Sequence, residues 1–371
     1  MKFIKISAFA IVLLLLMQIV SKAFIAIDSS DIENIYGFYA EPENSLDMVM
    51  IGPSEVYTGY APALAWEEYG LKSCNLSIGA VPCNIYKSIV TEIVKRQKPK
   101  LLVISAAAFS QGNWNLTDEV YLRKWIDNMP MSQNKLDTVK TIPKNINKDD
   151  EKVKDNISDT LYFPLEKYHG NWKNPEAVYT SFVTRAYMRL SGGGYLKGFY
   201  SKTGITGGRD NLANIGQPTK EAYMLTDECR AYLKELLSYC NKLGIEHVLL
   251  LQPPHETQAA DKSGLEQIES ITKEYGYDFL DLSTDYESIA GIDDSHDFAD
   301  FEHLNAYGAK KLTAYIGDMA VNQYGIKSDT AKSELSRWKK SVKRTKKALK
   351  MAREYTDRGE AQVVGEYEAA K

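Results

Sequence analysis

The stretch from Asp47 to Tyr57, Asp-Met-Val-Met-Ile-Gly-Pro-Ser-Glu-Val-Tyr, constrains the chain more than any other. Met48 to Ile51 is a short continuous apolar run that includes Val and Ile, the signature of a strand buried on both faces. Gly52-Pro53 then turns the chain and leaves Ser54 just past the strand's carboxyl end. In open α/β sheets that edge is where ligands bind. A serine there either caps the next helix or serves as a nucleophile. The second role needs a base.

The same rhythm recurs along the chain. Lys72–Ile78, Pro99–Ser105, His247–Leu251 and Tyr277–Leu282 read as four further strands. Helices are predicted over Pro62–Tyr69, Asn84–Arg96, Thr219–Leu243, Leu265–Tyr275 and Ala306–Gln323. Ile85, Ile89, Ile93 and Val94 set the helical period in the second of these. Five strands alternating with helices predict an α/β protein: a mainly parallel five-stranded sheet in a three-layer α/β/α sandwich. The pattern breaks after strand three, which predicts an insertion over about 111–218. Within it, 134–159 is rich in Lys, Asp and Asn and reads as a solvated loop. The aromatics of Tyr162–Trp172 and Tyr195–Tyr200 predict order. Trp172, Tyr195 and Phe199 are either a stacking floor for a sugar or the packing of a small subdomain.

Both ends differ from this body. Sixteen residues from Ile6 to Ser21 carry no charge, and Ala23–Ile27 extends the apolar stretch far enough to cross a bilayer. No small-x-small cleavage site precedes Asp28, so 1–27 reads as an uncleaved signal anchor. Lys2 and Lys5 precede the apolar run, while Asp28, Asp31 and Glu33 follow it. The positive-inside rule then puts the rest of the chain outside the cytoplasm, despite Lys22. The folded domain is expected over 28–328. Beyond it, 329–371 reads as an exposed helical tail: ten basic residues between Lys332 and Arg353 stand against one acid, Glu334. Its thin apolar side comprises Leu335, Trp338, Val342, Ala348 and Leu349. Such a helix is either simply solvated or touches anionic lipid or a polyanionic polymer.

The net charge of −4 carries no electrostatic footprint of nucleic-acid binding. Cys229 and Cys240 lie on one predicted helix about 16 Å apart by helical rise, too far to bond. A Cys74–Cys83 bridge and four buried thiols both remain compatible with the spacing.

The base for Ser54 is found in Asp300-Phe-Glu-His303. A serine hydroxyl needs a base to take its proton. A carboxylate three residues before a histidine reaches its far ring nitrogen and fixes the tautomer. Asp293, Asp294, His296 and Asp297 beside this pair make a divalent-metal site the rival reading, which leaves the Ser54 turn unexplained. Of the other histidines, His255 follows the fourth strand at the active edge. His169 sits with Trp172 in the aromatic insertion, and His247 lies inside a strand. His169, Trp172 and His255 are therefore the candidate substrate contacts.

Taken together, Gly52-Pro53-Ser54, Asn75-Leu-Ser-Ile-Gly79 and Asp300-x-x-His303 resemble the first, second and last blocks of the SGNH (GDSL-like) hydrolases. Tyr168-His-Gly-Asn-Trp172, Lys197-Gly198-Phe199 and Leu304–Gly308 resemble segments of its membrane-anchored bacterial branch. That branch includes acyl-transfer proteins acting on alginate and teichoic acid. The resemblance runs from about Phe38 to Ile326. It departs at the third block, where Ile104-Ser105-Ala-Ala-Ala-Phe109 lacks the expected asparagine.

The resemblance implies an SGNH/flavodoxin-like sheet, with Ser54 as nucleophile, His303 as base and Asp300 orienting it. Backbone N–H groups of Ser54 and Gly79 would form the oxyanion hole, with Ser105, Gln111 or Asn171 open as the third donor. It implies an extracytoplasmic esterase or O-acyltransferase, acetyl being the expected group, acting on a cell-surface polysaccharide without metal or cofactor. The cytoplasmic membrane and a membrane-embedded acyl-donor protein are the implied partners. A non-catalytic polysaccharide-binding or assembly protein on the same fold is the alternative, and the altered third block is its best support.

Overall fold

The computed structural model describes residues 2–25, 29–142, 157–214, 222–256 and 259–370. Five strands form one parallel sheet: β1 (Met48–Gly52), β2 (Ser73–Ser77), β3 (Leu101–Ser105), β5 (His247–Gln252) and β6 (Asp278–Asp281). Their order is β2-β1-β3-β5-β6. All four pairings are parallel, and Ile51, for example, lies between Leu76 and Ile104. The chain leaves β1 for β2 on one side and returns to β3 on the other. The order therefore reverses next to β1, and a crevice opens beyond its carboxyl end.

The sheet divides its side chains between two apolar clusters, as pleating requires. Val49, Ile51, Leu102, Ile104, Val248 and Leu250 join one, with Ile89, Ile93, Leu233 and Leu237 from covering helices. Met48, Met50, Leu101, Val103, Leu249 and Leu251 join the other, with Leu312 and Ile316. This two-sided burial is why the strands read as unbroken apolar runs.

Helix α1 (Lys2–Phe24) is long and apolar enough to cross a membrane, with a mean hydropathy of 2.3 over Ile4–Lys22 and 6% of that span buried. Its carboxyl end contacts the body. Asn171 donates its side-chain N–H to the carbonyl of Phe24 at 2.9 Å, and Arg185 donates to that of Ile25 at 2.6 Å. Helix α2 (Ser29–Ala40) is pinned to the carboxyl edge of the sheet, where Asn34 donates to the carbonyl of Ser77 at 2.8 Å.

Helices α4 (Pro62–Tyr69) and α5 (Tyr86–Arg96) stand close to their expected positions, and a short helix not predicted from sequence, α3 (Ser54–Gly59), opens directly after β1. Two expectations change. Part of the predicted loop is a helix, Gln133–Thr141, capped by the side chain of Ser132, while 143–156 lie outside the described residues. The helix expected from Thr219 begins at Asp227, because Thr226 caps it and the preceding backbone is spent on bridges from Ala222 and Met224.

The basic helix is also not the exposed element expected. Lys332–Asp357 buries Trp338, Ser341, Val342, Thr345, Ala348, Leu349, Ala352 and Thr356. Five of these eight are small or hydroxylic, so counting bulky apolar residues understates the stripe. Trp338 stacks on Trp66, with ring centroids 5.6 Å apart. The segment then returns to the body as β7 (Val363–Val364), antiparallel to β4 (Ser201–Lys202). Glu366 next accepts the N–H groups of Tyr195 and Leu196. Phe199 is fully buried here and Tyr195 lies under the Lys340 ammonium at 4.1 Å. With Trp172 exposed on another element, these three aromatics do not form one stacking floor.

Candidate active site

At the end of β1 two packing constraints position Ser54. A Cβ on Gly52 would stand 2.5 Å from both Ser105 Cβ and Val56 Cγ2, so only glycine lets β1 pass β3 and α3 this closely. Pro53, not Ser54, occupies the N-cap of α3 and offers no side-chain cap. Ser54 is the first helical residue, so its hydroxyl is released from the capping role the sequence left open.

The hydroxyl instead meets histidine. Ser54 Oγ lies 2.7 Å from His303 Nε2, and His303 Nδ1 lies 2.7 Å from Asp300 Oδ1. The same Asp300 oxygen accepts the backbone N–H groups of Glu302 at 3.0 Å and His303 at 2.9 Å, which locks the three-residue spacing into a tight turn. The three residues named from sequence are thus brought together across 249 positions of chain.

A fourth member was not named. Lys202 Nζ lies 2.6 Å from Asp300 Oδ2 and 3.1 Å from His303 Nδ1. A carboxylate only accepts, so the 2.7 Å contact assigns Nδ1–H to Asp300, and Lys202, which only donates, serves Asp300 rather than Nδ1. Burial alone would raise Asp300, but the hydrogen bond and charge of His303, then those of Lys202, outweigh it. They hold the carboxyl well below the usual range. Lys202 belongs to the two-residue β4, too short to show any periodicity, and is fixed by pairing with Val363 and a bridge to Asn305.

Two tyrosine and glutamate neighbours complete the surroundings. Glu55 is buried with Oε2 3.5 Å from Ser54 Oγ, and burial raises its carboxyl against the lowering pull of His303. Tyr57 lies one helical turn beyond Ser54, and burial raises its phenol above the usual range. Its hydroxyl lies 3.7 Å from where a Cβ on Gly79 would stand.

Gly79 itself departs from expectation. Its N–H donates to Asp31 Oδ1 at 2.8 Å and its carbonyl accepts from Lys124 at 3.1 Å, so this amide is engaged rather than open to an oxyanion. Lys124 also pairs with Asp31 at 2.9 Å. The cause is α2, which the sequence reading did not place at this edge.

The three expected substrate contacts are not grouped. His255 is 5% exposed, packed against Glu302 (3.8 Å) and the Phe301 ring, so it lies within the site's wall. His169 and Trp172 are exposed on the 3-10 turn His169–Lys173, which packs on α1 and the Pro175–Ser191 helix. Of the open donors, Ser105 is buried with Oγ accepting the N–H of Ala107, and Asn171 is used on Phe24. Gln111 forms a bridge with Met224.

The acid-rich loop has other uses. Asp297 meets Lys311 at 2.6 Å and accepts the N–H of Asp293, and Asp294 meets Arg209 at 3.2 Å. Among the described residues no group of three His, Cys, Asp or Glu is arranged to hold a metal ion. The four cysteines are free and buried, Cys83 Sγ standing 3.6 Å from Cys229 Sγ. Comparison with protein-family models, with curated proteins and with solved structures finds no match.

Proposed function

We propose that this chain is a membrane-anchored serine esterase or O-acyltransferase of the SGNH (GDSL-like) type. Its substrate would be the O-acyl groups, acetyl first among them, of a cell-surface polysaccharide. The observation that carries the reading is the unbroken line Ser54 Oγ, His303 Nε2, His303 Nδ1, Asp300 Oδ1, with both separations at 2.7 Å. His303 takes the Oγ proton as Oγ attacks the acyl carbonyl, and Asp300 stabilises the imidazolium. Collapse of the tetrahedral intermediate returns that proton to the departing sugar oxygen and leaves the acyl group on Ser54. A water or a second sugar hydroxyl then repeats the sequence in reverse.

The developing oxyanion needs donors already in place. The Ser54 N–H at the start of α3 and the Tyr57 hydroxyl are the groups at hand, Tyr57 standing in for the asparagine that the third block lacks. Lys202 neutralises Asp300 and holds it toward the imidazole.

The finer architecture belongs to the same reading. Apolar clusters on opposite faces of the sheet support a three-layer α/β/α sandwich, and the segment between β3 and β5 is its insertion. Helix α1 would span the cytoplasmic membrane with Lys2 and Lys5 inside and the domain outside. A membrane-embedded acyl-donor protein fits a transferase anchored this way.

One observation favours the second reading, a non-catalytic polysaccharide-binding or assembly protein: the Gly79 amide is occupied by Asp31. The two separate on an activated acetyl ester. The full-length protein in detergent should turn it over, and Ser54→Ala should not. Turnover that survives Ser54→Ala and is lost to a chelator would point to a metal hydrolase; none in the wild type, with polysaccharide bound, would favour the binding protein.

A further inference from the structure

Beside the Ser54 line lies a groove of about 720 Å³, within the roughly 300–1,000 Å³ range of ligand pockets. Its walls come from α2, the Pro175–Ser191 helix and the C-terminal segment, three parts that the catalytic line does not need. Two lining residues tie it to that line. Lys202 contacts Asp300 and His303, and Tyr57 sits on the helix that Ser54 opens. The groove therefore adjoins the Ser54 line.

Four of the twelve lining side chains are tyrosines: Tyr57, Tyr179, Tyr200 and Tyr367. Tyr179 and Tyr367 are 69% and 64% exposed and form the rim, while Tyr200 is buried. A tyrosine offers an apolar face with a polar tip. A sugar ring is its complement, with C–H faces and a belt of hydroxyls. Ser30, Thr180 and Thr184 add hydroxyls along the same walls.

The charges decide which sugar polymer. Lys202 is the one cation among the lining residues, and its ammonium is already held by Asp300 at 2.6 Å. The acids are Glu33 and Glu368. Burial pushes Glu33 up to about 8, so at neutral pH it is largely a hydrogen-bonding acid without charge. A chain of phosphates or uronates would bring its charges against Glu368 and find no free cation, and unmatched like charges reject a partner. We infer that this groove binds an uncharged glycan. The inference rests on the esterase or acyltransferase reading for what is done to that glycan, not for its binding.

The test uses full-length Ser54→Ala protein in detergent micelles, titrated calorimetrically. The probes are uncharged malto-, cello-, galacto- and chito-oligosaccharides, an oligouronate, a short poly(glycerol phosphate) and a chitosan oligomer. At least one uncharged oligosaccharide should bind more tightly than every charged probe. Tyr179→Ala and Tyr367→Ala should each weaken it about tenfold, about 1.4 kcal/mol, and Tyr179→Phe should retain it. A charged probe as the tightest ligand, no binding by any uncharged one, or binding indifferent to both tyrosines would overturn the inference. Fluorophosphonate labelling of the Ser54-containing protein, run alongside, keeps the two readings apart. Labelling without glycan binding would sink the groove alone, and glycan binding without labelling would sink the hydrolase alone.

Discussion

Replacing Trp338 by alanine should destabilise the domain by about 4 kcal/mol. The indole is 4% exposed, its ring stacks on Trp66 at 5.6 Å, and the buried Lys197 ammonium lies 4.9 Å from its centroid. Burying a tryptophan withdraws about 150–250 Å², worth about 4–6 kcal/mol at 25 cal/mol per Å² as an upper bound. Large-to-small core substitutions of aromatics measure about 3–5 kcal/mol. For a chain of 371 residues each kcal/mol moves the thermal midpoint by about 1.3 °C. Differential scanning calorimetry of the full-length protein in detergent should therefore show a midpoint about 5 °C lower. A shift below about 2 °C would mean that the basic helix is not docked, and would return it to the solvated tail suggested by its charge.

Two further outcomes follow from the anchor and from the groove. The proposed topology, with Lys2 and Lys5 inside by the positive-inside rule, predicts that a reporter active only outside the cytoplasm, fused after Lys371, is active; an active cytoplasmic reporter in its place would reverse the topology. Glu33 carries a pH signature, because burial pushes its folded value up to about 8, above about 4.3 when unfolded. Between those values the native state keeps a proton that the unfolded chain has released, so this group lowers stability as pH rises from about 4.5 to 8. Glu33→Gln should flatten the fall of the thermal midpoint over that window, and equal slopes in the two proteins would contradict the burial of a protonated carboxyl.

The fold and the line of three residues were legible because each rests on a local signal. Continuous apolar runs ended by turns gave all five sheet strands to within two residues at each end. Asp300 and His303 share one turn, and Ser54 follows a Gly-Pro pair that can only bend the chain. What escaped depends on contacts between distant segments. Lys202 owes its place to a two-residue strand paired with residue 363, and Gly79 loses its amide to Asp31 on a helix 48 positions away. Tyr57 lies one turn beyond Ser54, and nothing in its neighbours' spacing reveals that its hydroxyl stands beside Gly79. The docked face of the basic helix was hidden for a different reason. Ser341, Thr345, Ala352 and Thr356 bury because they are small or hydroxylic, not because they are apolar enough to form a visible stripe.

The central claim is that His303 activates Ser54, and intact-mass spectrometry after exposure to a fluorophosphonate tests it most directly. The wild type should gain a single adduct that maps to Ser54. Ser54→Ala should gain none. His303→Ala should react several orders of magnitude more slowly, because members of such a line act as a unit. Asp300→Asn should slow the reaction by a similar or smaller factor, through loss of the Nδ1–H tautomer. An adduct at any other residue, or equal labelling of the wild type and His303→Ala, would contradict the account.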